Sequence, residues 1–259
     1  MTMMGADLTY GPGNYDVPWL RSLMGLPKEE QLAMMNNHII EVLKHYPNQI
    51  SIWRVANEFR KSSDPDVKDI YARTIGNDYV ELAFQTAREH APDAILIYNE
   101  NSNETRDGYY YQHTLQVVNG LKAKGLIDGV GLQMHIFHPE QALSKDKIIA
   151  TMQSYELPVY ITEFDVDLIR LKGTPQDRYA RQAEIYRTVT DACLESGVCK
   201  GIYLWESFGD NYNWLERMSG DWRFGSNADA TLFFDDMTPK PAYYAVLQSL
   251  FEHIAWVGE

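Results

Sequence analysis

The sequence predicts an α/β fold made of consecutive parallel βα units. Short apolar runs rich in β-branched residues alternate with longer amphipathic stretches, at roughly 25 to 45 residues per repeat, which is typical of strands joined by helical crossovers. The crossovers should be right-handed, as they are in nearly all such units. Strands are predicted at residues 4–10, 50–55, 94–98, 129–133, 158–162 and 200–205. Helices are predicted at residues 28–45, 67–90, 106–124, 140–154, 176–196 and 239–254.

Proline and acidic residues mark several of the predicted helix ends. Pro27 with Glu29 and Glu30 after it is typical of a first turn, because proline lacks an amide hydrogen that would be unused there. Carboxylates in that turn also interact favourably with the helix N-terminus. Pro92 separates the second predicted helix from the next strand, and Pro241 opens the last helix.

The length of the chain and its lack of a linker favour a single domain over residues 1–259. No low-complexity segment or obvious sequence repeat interrupts it. A closed βα barrel has eight strands in typically ~250 residues. This chain yields only six predicted strands, because segments such as 206–238 read as long loops.

The net charge of −13 restricts the partners of the protein. A chain this acidic repels nucleic-acid phosphates and anionic membranes, so we expect neither as a partner. No stretch reaches the ~18 consecutive apolar residues of a transmembrane helix. The charge fits a soluble protein that acts on a neutral substrate.

The cysteines and histidines do not predict a metal centre. Cys193 and Cys199 alone cannot complete a zinc site; they either form one disulfide closing the turn between a helix and the next strand, or stay two buried thiols. His135 and His138 have H-x-x-H spacing, but no third ligand is evident. We therefore expect no metal and no cofactor.

Two glutamates each follow a strand-like run. Glu58 comes directly after residues 51–57 (SIWRVAN), and Glu163 comes directly after residues 158–162 (PVYIT). In a parallel βα architecture the carboxyl ends of the strands carry the active site. Two carboxyl groups there are the apparatus of glycoside hydrolysis, one as acid/base and one as nucleophile. The alternative, that both are solvated surface residues, is disfavoured by their strand-end positions.

Both runs resemble the catalytic motifs of glycoside hydrolase family 10, the endo-β-1,4-xylanases. Residues 53–58 (WRVANE) resemble its W-x-V-x-N-E acid/base motif, and residues 161–165 (ITEFD) resemble its I-T-E-L-D nucleophile motif. Further segments match in the same order over residues 28–250. They are residues 129–135 (GVGLQMH), the cysteines 193 and 199 where many members carry a disulfide, residues 201–205 (GIYLW) with Asp210 and Trp214 after them, and residues 232–243.

The resemblance implies a TIM (β/α)8-barrel fold, N-terminally truncated to about six βα units. It implies endo-β-1,4-xylanase activity with retention, in which Glu163 is the nucleophile that forms a glycosyl-enzyme and Glu58 is the acid/base. Xylan or xylo-oligosaccharides would be the substrate. Substrate-binding or supporting roles are implied for Asn57, Gln133, His135, Asp165, Trp205 and Trp214.

The chain also departs from the family pattern near its beginning. The family places about three strand units before its acid/base glutamate, whereas only 57 residues precede Glu58 here. Residues 4–10 (MGADLTY) resemble the family's third strand, R-G-H-x-L-V-W, with Ala6 in place of the histidine and Tyr10 in place of the tryptophan. The first two strands, and the residues that hold the sugar on the non-reducing side, would then be missing.

These departures leave two other functions open. One is a catalytically impaired xylanase fragment that at most binds xylan, because the residues for the non-reducing side are missing. The other is another β-1,4-glycanase of the same barrel clan, a cellulase or a mannanase, which the motif spacing disfavours.

An incomplete barrel also predicts self-association. It would expose two sheet edges and part of its apolar interior, so we expect a homo-oligomer in which one copy covers the open side of another. The family resemblance implies secretion, although residues 1–7 lack the charged and apolar regions of a signal peptide.

Overall fold

The computed structural model describes residues 2–11, 25–47, 49–63, 69–106, 108–205 and 229–257. The chain divides into two compact units. The first unit comprises Met1–Glu100 and Gln112–Gly131, and the second comprises Asn101–Tyr111 and Leu132–Glu259. Within the described ranges, no helix combines the length and the apolar character needed to span a bilayer.

Strands and helices alternate along the chain, as the sequence predicts. The strands are β1 (Met4–Gly5), β2 (Thr9–Tyr10), β3 (Ile52–Asn57), β4 (Ile95–Glu100), β5 (Gly129–Leu132), β6 (His135–Ile136), β7 (Val159–Val166) and β8 (Cys199–Leu204). The helices are α1 (Lys28–His45), α2 (Ile70–Thr74), α3 (Tyr79–His90), α4 (Tyr109–Lys122), α5 (Lys145–Ser154), α6 (Pro175–Glu195) and α7 (Pro241–Val257).

Three predicted elements differ in the structure, and one strand, β6, was not predicted. The strand expected at 4–10 is two short strands, β1 and β2. The helix expected at 67–90 is divided into α2 and α3, because Gly76 between them has a φ of +125°, which a right-handed helix does not contain. The strand expected to end at residue 162 continues to Val166, so Glu163 lies inside β7 and not after it.

The sheet of the first unit is built around β3. The strands β1, β2 and β4 all pair with β3 in parallel, and β5 follows β4 in the strand order. The register places Tyr10 and Asn99 on either side of Asn57, the last residue of β3. Because parallel strands end at the same edge, the residue after β3, Glu58, comes to that edge beside the end of β4.

The helices of the first unit bury one face each. In α1 the buried residues Gln31, Met35, Ile39 and Leu43 recur every four positions, which is the period of one helix face, and α1 packs against α3. Asp69 begins α2 as its N-cap, and its side chain accepts a hydrogen bond from the Ala72 amide.

The sheet of the second unit is built around β7, which pairs in parallel with β6 on one side and β8 on the other. All eight residues of β7 are buried. The helix α6 begins with a capping box between Thr174 and Asp177 and packs against α7. A disulfide between Cys193 and Cys199 joins the end of α6 to the start of β8.

Candidate active site

Glu58 occupies a restrained position at the end of β3. Its φ is +52°, a left-handed conformation that is uncommon for any residue other than glycine. Its backbone amide donates a hydrogen bond to the carbonyl of Asn99 (3.1 Å), and the hydroxyl of Tyr10 donates to its Oε2 (3.3 Å). Tyr10, which stands where the family has tryptophan, therefore contacts the predicted acid/base directly.

The side-chain amide of Asn57 is held on both sides. Its Nδ2 donates to Asp7 Oδ2 (3.3 Å), and its Oδ1 accepts from Asn99 Nδ2 (3.1 Å). The other oxygen of Asp7 lies 2.9 Å from Arg54 Nε. These contacts fix the orientation of the amide, for which the family resemblance implies a substrate-binding role.

A buried ion pair, Arg60 with Glu100, joins the segment after β3 that contains Glu58 to the end of β4. The guanidinium of Arg60 contacts both oxygens of Glu100, with Nη1–Oε2 at 2.7 Å and Nη2–Oε1 at 3.0 Å, and Tyr98 donates its hydroxyl hydrogen to Glu100 Oε2 (2.9 Å). Burial raises the pKa of Glu100 and the charge of Glu58 adds to the rise, but the Arg60 guanidinium, which donates to both oxygens, opposes it and keeps the carboxyl group ionised. Sequence reasoning missed this pair, in which Arg60 lies three positions after the end of β3 and Glu100 is the last residue of β4.

In the second unit, the imidazole of His135 lies between two carboxylates of β7. Its Nε2 is 3.4 Å from Glu163 Oε2, and its Nδ1 is 2.9 Å from Asp165 Oδ1. Burial acts to lower the pKa of His135, but Asp165 and Glu163 together raise it to about 10. His135 is therefore a cation at neutral pH and donates a hydrogen from each ring nitrogen.

Strand register produces this arrangement. His135 is paired with Asp165 across β6 and β7, and the backbone amide of Glu163 donates to the carbonyl of Gln133 (3.1 Å). Both carboxylates are nearly inaccessible, with Glu163 3% and Asp165 1% exposed. The β6 strand, which the sequence did not predict, is what brings the imidazole level with them.

Trp205 follows β8 and lies edge-on to His135, with 6.3 Å between the ring centroids. The structure thus brings together Gln133, His135, Glu163, Asp165 and Trp205 in the second unit. It brings together Asn57 and Glu58 in the first. Trp214 lies outside the described residues.

One carboxylate near His135 was not anticipated. Burial raises the pKa of Glu104, while hydrogen bonds from backbone amides and the charge of His135 oppose the rise. It lies five residues beyond Asn99, in the segment after β4, where the sequence analysis singled out no residue. Among the residues that the structure describes, no group of three His, Cys, Asp or Glu side chains is arranged to hold a metal ion.

The chain is similar in sequence to a known protein family and to several of its members. The model of glycosyl hydrolase family 10 matches residues 12–249. The chain is 33% identical over 232 residues to endo-1,4-beta-xylanase B of Thermotoga neapolitana, covering 88% of this chain and 64% of that protein. It is 31% identical over 236 residues to endo-1,4-beta-xylanase A of Humicola insolens, covering 90% of this chain and 60% of that protein. The chain therefore spans less than two thirds of the length of these relatives.

Solved structures give the same result for the fold. Native xylanase 10B from Thermotoga maritima superposes with a TM-score of 0.84 at 32% identity, over 98% of this chain and 76% of that one. Xylanase 10B from Thermotoga petrophila in complex with xylobiose superposes with a TM-score of 0.84 at 32% identity, over 98% and 75%. The predicted TIM-barrel type of fold is confirmed, with this chain corresponding to about three quarters of the neighbour's length. Together with the match over residues 12–249, these likenesses show that the chain belongs to glycosyl hydrolase family 10.

Proposed function

We propose that the chain is an endo-β-1,4-xylanase that works with retention, with Glu163 as the nucleophile and Glu58 as the acid/base. The observation that carries the proposal is the contact of Glu163 with the imidazolium of His135, 3.4 Å away. A nucleophilic carboxylate must be charged, and a buried charge is tolerated only beside a compensating one. Two similar proteins are named endo-1,4-beta-xylanase, and a similar structure holds xylobiose, which supports xylan as the substrate.

The proposed reaction has two steps. Glu163 attacks the anomeric carbon while Glu58 gives its proton to the leaving glycosidic oxygen, which produces a covalent glycosyl-enzyme. Glu58 then takes a proton from water, which attacks the same carbon and releases the sugar with its original configuration. This mechanism requires the two carboxyl groups to be about 5–5.5 Å apart in the working enzyme.

The supporting residues divide the remaining tasks. We propose that Asn57 binds the 2-hydroxyl of the sugar, a contact that strengthens in the transition state. Asp165 holds the orientation and the charge of His135. Gln133 supports the nucleophile side through its carbonyl. We propose that Trp205 and Trp214 stack on sugar rings.

The test is reducing-sugar release from xylan by the parent protein, by Glu163→Gln and by the control Glu89→Gln on the surface of α3. We expect release by the parent and the control and none by Glu163→Gln, since the amide cannot act as the nucleophile. No release by a folded parent would favour the second candidate, an impaired fragment. Faster cleavage of an aryl β-cellobioside than of an aryl β-xylobioside would favour another β-glycanase.

We also propose that the protein forms a homo-oligomer through the second unit. Among the described strands, only β7 pairs with β8, and Leu204 at its end is 36% exposed. On α7 the large apolar residues Tyr244 and Phe251 are 57% and 63% exposed. In the dimer, the β8 edge of one copy would pair with the β8 edge of the other, and each copy would cover Tyr244 and Phe251 of its partner. The strand edge and the apolar side chains would then both be removed from water. A monomer at micromolar concentration in light scattering would overturn this.

Two further proposals concern the chain as a whole. We propose that both units belong to one catalytic domain, which predicts a single cooperative unfolding transition in calorimetry. We propose that the protein is secreted, because a disulfide such as Cys193–Cys199 persists in oxidising compartments. Free thiols at both positions in protein isolated from the native host would contradict secretion.

A further inference from the structure

We propose that the Arg60–Glu100 ion pair is a positioning device for Glu58 that fixes its backbone and sets the electrostatic field at its carboxylate. The proposal rests on the proposed role of Glu58 as the acid/base. It adds two residues to the site, neither of which lies in the two catalytic motifs at residues 53–58 and 161–165.

The Arg60–Glu100 pair is held rigidly by burial and by several hydrogen bonds. Arg60 is 4% exposed and Glu100 is not exposed, and the two make a bidentate contact at 2.7 and 3.0 Å. Arg60 Nη1 also donates to the carbonyl of Phe59 (2.9 Å), and the backbone amide of Arg60 donates to Asp69 Oδ2 (3.1 Å). Arg60 is thus held through both its side chain and its backbone amide. These contacts fix the orientation of its planar guanidinium.

Three consecutive residues tie the end of β3 to the end of β4. Glu58 bonds through its amide to the carbonyl of Asn99, Phe59 bonds through its amide to the hydroxyl of Tyr98 (3.2 Å), and Arg60 bonds to Glu100. A left-handed φ at a residue other than glycine persists only where the surroundings determine it more than once. These contacts supply that restraint at Glu58 from the side opposite Tyr10.

The charges of the pair also act on Glu58. The carboxylates of Glu58 and Glu100 follow the paired residues Asn57 and Asn99, so they are neighbours across two parallel strands, with the Arg60 cation beside them. An adjacent anion favours the protonated form of a carboxyl group, and an adjacent cation favours the ionised form. Within the described part of the first unit, hydrogen bonds connect Glu58, Glu100 and Arg60 to the titratable groups of Tyr10, Tyr98 and Asp69, with Tyr79 bonded to Asp69 and His113 bonded to the Phe59 carbonyl.

The test measures the titration of Glu58 directly, without substrate. With 13C-labelled glutamate, the Glu58 carboxyl signal is assigned by its loss in Glu58→Gln and followed by NMR from pH 3 to 9. We expect the midpoint to rise by about one pH unit in Arg60→Met and to fall by a similar amount in Glu100→Gln. The double variant should lie between them, and Lys145→Met, which removes a surface cation, should leave the midpoint unchanged.

A purely structural role predicts a different pattern. Loosening the segment would move the midpoint in the same direction in both single variants or leave it unmoved, and either result overturns the proposal. If Arg60→Met does not fold, Arg60→Lys replaces it: the charge is kept, so the midpoint should stay near that of the parent in this variant and still fall in Glu100→Gln. Opposite shifts in a protein that releases no sugar from xylan would refute the proposed function and leave the ion-pair inference standing.

Discussion

The Nδ2 atom of Asn57 donates a hydrogen bond to Asp7 Oδ2 over 3.3 Å, joining the predicted sugar-binding amide to a residue 50 positions earlier in the chain. Asp7 is in turn held by Arg54, 2.9 Å away. The orientation of the Asn57 amide is therefore set by a charged pair that does not itself belong to the catalytic motifs.

This relationship predicts that Asp7→Ala lowers kcat/KM about tenfold on an aryl β-xylobioside, because an amide that is no longer oriented binds the 2-hydroxyl less well in the transition state. On the analogue lacking that hydroxyl, the same variant should lose little. Steady-state kinetics on both substrates is the measurement. Equal losses on the two would mean that Asp7 does not act through Asn57.

The raised pKa of His135 predicts how stability depends on pH. The imidazole of His135 has a pKa of about 10 in the folded protein, compared with the ordinary value of 6.5 that applies to the unfolded chain. Its stabilising contribution is therefore complete below pH 6.5 and is lost as the pH rises through 10, because the folded state holds the proton more tightly. Urea unfolding at pH 6, 8 and 10 should show the free energy of unfolding fall less steeply in His135→Gln than in the parent.

The matched control for this prediction is His138→Gln. His138 is half exposed and contacts Glu140 at 3.1 Å on the surface. This variant should keep the slope of the parent between pH 6 and 10. A slope in His135→Gln equal to that of the parent would mean that His135 is neutral in the folded protein.

Asp69 is predicted to be a main determinant of the stability of the first unit. It is fully buried, and its oxygens accept hydrogen bonds from the Arg60 amide, the Ala72 amide and the Tyr79 hydroxyl. Asp69→Ala leaves three buried donors without this acceptor, so we expect a loss of about 3 kcal/mol or more in the free energy of unfolding. Denaturant titration measures it.

An exposed aspartate offers the comparison. Asp236 accepts from the amide and the hydroxyl of Thr238, where water can replace it. Asp236→Ala should therefore lower the free energy of unfolding much less than Asp69→Ala does. A similar cost for both variants would show that burial does not decide the contribution of Asp69.

The disulfide predicts a modest loss of stability on its removal. Cys193 and Cys199 are only six positions apart, so the cross-link restricts a short loop, and Cys193→Ala/Cys199→Ala should lower the free energy of unfolding by about 2 kcal/mol. The turn should keep its shape, since the Ser196 hydroxyl accepts from the amide of Cys199 (2.9 Å). Thermal unfolding with and without reductant measures the same quantity in the parent, and no change on reduction would contradict the prediction.

Local patterns predicted those parts of the fold that depend on neighbouring residues. The helix α1 lies at residues 28–45 as expected, because proline, acidic residues and a four-residue apolar period all act within one segment. The helix expected at 67–90 was interrupted by the backbone conformation of Gly76, which composition does not report. The strand β7 extends past its apolar run, because pairing with β6 supplies hydrogen bonds to residues 165 and 166.

For the candidate site, too, the sequence predicted the residues that local patterns mark and missed the contacts between distant residues. Glu58 and Glu163 could be recognised because each follows an apolar run that forms a buried strand. The contacts of Arg60 with Glu100 and of Asp7 with Asn57 could not, since they join residues 40 and 50 positions apart and depend on strand register. Strand register depends on the packing of the whole sheet, so no short segment of the sequence determines it.

The extended backbone of β7 has a consequence for how this enzyme family can vary. Glu163 and Asp165 are two positions apart on one strand, so their side chains share a face at a separation of roughly 6.6 Å, the repeat of the pleat. At that separation the imidazole of His135 contacts both carboxylates, one through each ring nitrogen. Insertion of one residue between the two acids would turn one of them to the opposite face and separate it from His135.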